Sequence, residues 1–80
     1  MSTVDTVLEI IEENAKPFIT KPQIVTIITR ETNDSRKNVN RKVSRAITIL
    51  MNRKKQIIEY YPKGATEPKG YCLRESKVTL

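Results

Sequence analysis

The stretch from residue 36 to residue 53 constrains this chain most, because helical spacing sorts it into two unlike faces. At about 100° per residue, Val39, Val43, Ala46, Ile47 and Leu50 share one arc, and Lys37, Asn38, Arg41, Ser44, Arg45, Thr48 and Asn52 lie opposite. Such a helix must lay its apolar stripe on the rest of the chain. Its outward face carries long cations, amides and small hydroxyls, and no Glu. Ordinary solvated faces mix Glu with Lys, since opposite charges four apart support a helix. Like-charge crowding costs helix stability, and that cost points to a compensating partner outside the chain.

The charge division supports this reading. Residues 1–34 hold six acids and three bases, a balance of −3, and the remainder holds twelve bases and three acids, a balance of +9. From Ser35 to Ile58 there are eight bases, Arg36, Lys37, Arg41, Lys42, Arg45, Arg53, Lys54 and Lys55, and no acid. A polyanion is the partner such a block implies. The alternative, that these cations only keep a small domain soluble, would be served better by interspersed signs or by acids.

At 80 residues the chain has room for one domain, residues 1–80, with a core over about 3–74 and a patternless tail over 75–80. With no His and a single Cys, zinc ligation, a Cys–His or Ser–His catalytic pair and a disulfide framework are all excluded. No cofactor and no enclosed small-molecule site are expected. Glu9, Glu12 and Glu13 are spaced along a helix surface with no basic or metal partner to tune them, so the chain does not read as an enzyme. No apolar run approaches the roughly 18 residues that span a bilayer, and the beginning of the chain lacks a basic region followed by an apolar stretch. The expectation is a soluble protein of a reducing, intracellular compartment, cytoplasmic or nucleoid-associated, with no membrane partner.

A first helix is predicted over Thr3 to about Asn14, with Val4, Val7, Leu8 and Ile11 on one stripe and Ser2 and Asp5 forming a capping box. Pro17 interrupts it. Thr20-Lys21-Pro22-Gln23 starts a second helix: Thr20 caps the amide of Gln23, Gln23 reaches back, and Pro22 sits in the first turn. Ile24, Val25, Ile27 and Ile28 would suit a buried strand equally by propensity, but the capping signal decides for helix. That helix fades by Thr32-Asn33-Asp34, with Asp34 or Ser35 capping the third. Gln56–Tyr61 and Tyr71–Arg74 read as antiparallel strands joined by a Pro- and Gly-containing loop. Tyr60, Tyr61 and Tyr71 are expected to pack on the helices, Cys72 to be a small strand residue and Met51 to be filler.

Three helices and a hairpin, with Val43-Ser44-Arg45-Ala46-Ile47-Thr48-Ile49-Leu50 at the centre, resemble the winged helix-turn-helix family. The apolar first, fifth and eighth residues of that segment match the family's recognition helix. Ile57-Ile58 and Tyr71-x-Leu73 resemble the wing strands. The chain departs from the family in having Lys54-Lys55-Gln56 where a glycine is usual, and in a helix two to helix three connection that reads longer than the common tight turn. The resemblance implies an α+β, mainly α fold that binds double-stranded DNA through the major groove, with the wing on backbone or minor groove.

On that basis Arg41 and Arg45 are expected on guanine edges or flanking phosphates, Asn38 and Ser44 on bases, and Arg36, Lys37 and Thr48 on the backbone. Amides near Thr20, Lys21 and Ser35 would receive phosphates, and Lys63, Thr66 and Lys69 would form the wing contact. Arg53, Lys54 and Lys55 stay solvated or touch flanking phosphate. The implied role is transcription regulation, with a homodimer on two half-sites as one arrangement and Ile10, Val78 and Leu80 as candidate partner surface. The alternatives are an architectural or recombination accessory protein and a winged-helix adaptor between proteins.

Overall fold

Helix formation follows the capping chemistry. The structure, a computed structural model, describes residues 3–74. In order, these form α1 (Thr3–Asn14), α2 (Lys21–Thr32), α3 (Arg36–Thr48), a π-helical turn (Ile49–Arg53), β1 (Ile57–Tyr60) and β2 (Gly70–Leu73). Three helices thus precede one two-stranded antiparallel sheet, in register Ile57 to Leu73 and Tyr60 to Gly70. The expected Ser2 cap and the segment 75–80 lie outside the described residues.

At the start of α2 the Thr20 amide donates to Gln23 Oε1 at 2.9 Å and the Gln23 amide donates to Thr20 Oγ1 at 3.4 Å, a reciprocal capping box. The helix ends on Asn33, left-handed at φ 59°, whose amide donates to the Thr29 carbonyl at 3.0 Å. Only Asn33, Asp34 and Ser35 separate α2 from α3, so the connection is a tight one and not the longer link expected. The link is short because the Asn33 amide closes α2 on the Thr29 carbonyl and Ser35 caps α3 two residues later.

The third helix is α-helical only to Thr48. Beyond it the turn widens, and the Lys54 amide reaches the Ile49 carbonyl five residues back, at 2.9 Å. The Thr48 hydroxyl donates to the Ser44 carbonyl at 3.0 Å, a back-bond that competes with the regular ladder where the geometry changes. Lys55 then takes φ 52°, the left-handed conformation that glycine adopts without strain, and a lysine fills it here.

All five residues of the α3 stripe are at most 5% exposed. They pack with Val7, Ile10 and Ile11 of α1, Ile24, Val25 and Ile28 of α2, and Ile57 of β1 in one core. The linker between α1 and α2 adds a feature absent from the sequence reading. Ile19 forms an isolated antiparallel bridge with Tyr71, through amide-to-carbonyl bonds of 3.0 and 2.8 Å. Phe18 stacks on Tyr60 with ring centroids 4.9 Å apart. Gly70 permits this approach: a Cβ there would lie 2.5 Å from the Ile19 carbonyl oxygen and 2.7 Å from the Phe18 ring. Tyr60 and Tyr71 are half-buried and Cys72 is buried, whereas Tyr61 is 50% exposed and does not join the packing expected of it.

Candidate nucleic-acid interface

Ser35 caps α3 by accepting from the Asn38 amide at 3.2 Å. Its own amide donates to Asp34 Oδ1 at 2.8 Å, and the Asn38 side-chain amide donates to the same oxygen at 3.4 Å. Lys42 donates to the other oxygen of Asp34 at 3.3 Å. The Ser35 amide, then the Asn38 and Lys42 side chains, hold the Asp34 carboxyl below its usual range, so it is charged at neutral pH. The acid-free block of the sequence therefore acquires an acid in space. Asp34 draws Asn38 and Lys42 toward the start of α3 and offsets part of the positive charge there.

The remaining cations of α3 divide between its flanks. Arg36 is tied to α2, its Nη1 donating to Thr26 Oγ1 at 3.0 Å. Arg41 and Arg45 are exposed and, with Lys42 and Ala46, line a cleft of about 360 Å³ against Thr3 and Val4 of α1. Lys37 is exposed in the first turn of α3.

On the other flank Ser44, Thr48, Met51 and Asn52 border a groove of about 230 Å³ with Lys21 of α2 and Tyr71 of β2. Lys21 and Tyr71 continue into a second cleft of about 200 Å³ lined also by Thr20, Pro68, Lys69 and Gly70. A single track thus runs from α3 past the start of α2 to the base of the hairpin, joining Ser44, Thr48, Thr20, Lys21 and Lys69. Burial, and secondarily the Glu59 carboxylate, raises the Tyr71 pKa, so its phenol stays protonated at neutral pH. Lys63 and Thr66 are exposed in the loop and line neither groove; there Gly64 turns the chain at φ 83° and the Ala65 amide donates to the Pro62 carbonyl.

Three residues of this surface escaped the sequence reading of the site. Asn40 is exposed four residues before Ser44, and so on the same flank; Met51 packs against the core, as filler would, and also lines the groove; Tyr71 forms its wall. The wheel could have found Asn40 and Met51 had the face been centred on the α2 side and not opposite the core. Among the described residues no three His, Cys, Asp or Glu side chains gather to hold a metal, and no helix is long and apolar enough to cross a membrane. Compared with family models, curated proteins and solved structures, the chain gives no match.

Proposed function

We propose that this protein is a winged-helix binder of double-stranded DNA, with α3 entering the major groove and the hairpin following the adjacent backbone, in the service of transcription regulation. The observation that carries the reading is the continuous track from Ser44 and Thr48 through Lys21 to Lys69, flanked by exposed Arg41 and Arg45. A helix of this width fits the major groove, and the surrounding cations meet phosphate. An adaptor between proteins would have no need of an α3 face that lacks Glu.

Fluorescence anisotropy of a labelled mixed-sequence duplex, titrated across salt, tests this. Six phosphate contacts give a log–log slope of about −5. Replacing Arg41 and Arg45 together by alanine is expected to weaken binding and flatten that slope without lowering the thermal midpoint, because both side chains are exposed. Salt-independent affinity, or none, would transfer the case to the adaptor.

A further inference from the structure

The two flanks of α3 differ in chemistry, and that difference bears on which bases are read. The guanine edge is recognised in the major groove mainly by Arg or Lys bidentate to O6 and N7, adenine by Asn or Gln, and thymine by apolar contact with its 5-methyl group. Arg41 and Arg45 lie on the α1 flank, beside Thr3 and Val4. The flank that faces Lys21 and Tyr71 offers Ser44, Thr48, Met51 and Asn52, with no arginine. Lys21 belongs to the first turn of α2, where a cation suits phosphate.

Within that groove, the Thr48 hydroxyl proton is committed to the Ser44 carbonyl. What the side chain has left to offer a base is its γ-methyl group and an acceptor oxygen, to which the adenine N6 amine can donate. Met51, half-buried beside it, adds a polarisable apolar surface, and the exposed Asn52 adds an amide with one donor and one acceptor edge. We infer that the α3 groove reads thymine methyl groups and adenine edges, with Thr48 and Met51 sheltering the methyl and Asn52 pairing with adenine, so that its preferred duplex is A·T-rich. Arg41 and Arg45 then serve the backbone and not guanine. This rests on the DNA-binding reading above, and its test separates the two.

The test compares short fluorescein-labelled duplexes at one salt concentration: alternating dA and dT, the same with dU for dT, and alternating dG and dC. Deleting the methyl groups by dU substitution is expected to weaken binding about fourfold for each methyl sheltered. Thr48→Ser keeps the hydroxyl and removes only the γ-methyl, so it should diminish the dT-over-dU preference. Equal affinity for dT and dU, tighter binding of the dG–dC duplex, or a preference undiminished in Thr48→Ser would each overturn the inference with DNA binding intact. Binding to none of the three duplexes would instead overturn the DNA reading itself, and this inference with it.

Discussion

Lys55 occupies a backbone region that costs an L-residue about 1 kcal/mol, because its Cβ crowds the following carbonyl. It does so because the chain must leave the π-helical turn and enter β1 within three residues, Lys54 to Gln56. Glycine relieves that crowding but loosens the unfolded chain, so the two effects partly cancel. Lys55→Gly is expected to stabilise by about 0.5 kcal/mol, seen as a higher urea midpoint at unchanged slope. Asp34 teaches a second lesson at this scale. In the sequence it borders the basic block, and only the three-residue turn brings its carboxylate within reach of Lys42, at 3.3 Å. Contacts of that kind depend on where a helix begins to within one residue, which is why Asn38 reads as a base contact in the sequence and is held by Asp34 in the fold.

At the scale of elements, α2 was legible because its start signal is local. Thr20, Pro22 and Gln23 complete the capping box among themselves, and the result outweighs the strand preference of Ile24, Val25, Ile27 and Ile28. Removing the cap by Thr20→Ala should lower stability by about 1 kcal/mol, measured by chemical denaturation. Gln23 Oε1 keeps the backbone amide of residue 20 as its donor after that change, so a second change at Gln23 should lower stability further. The α3 stripe was legible for a similar reason, since five apolar side chains at one spacing identify the buried face without knowledge of what covers it. Two features were not. The π-helical turn has no sequence period of its own, and the Ile19–Tyr71 bridge joins residues far apart in the chain through backbone groups that any residue type carries.

Over the whole molecule, α1 and α3 pack through their apolar faces, with the acids Glu9, Glu12 and Glu13 exposed on α1 and the cations Arg41 and Arg45 exposed on α3. The +6 chain is therefore polarised, a condition that orients approach to a polyanion and strains the free protein by self-repulsion. Salt should act on these two properties with opposite signs. Going from about 0.01 M to about 0.15 M NaCl shortens the screening length from ~30 Å to ~8 Å. The thermal midpoint of the free protein is expected to rise by about 4 °C, followed by circular dichroism, over the same range in which the proposed duplex binding should weaken. A midpoint that falls instead would mean that attraction between α1 and α3 outweighs crowding within each. The hairpin adds a mechanical property to this picture. Because Ile19 and Tyr71 are joined by main-chain bonds and Gly70 lets Phe18 seat against the sheet, the hairpin's angle is set at its root. The outer residues 61–67 thus behave as an interchangeable bit in a fixed chuck: their length and charge can drift, and whatever they carry is still aimed the same way.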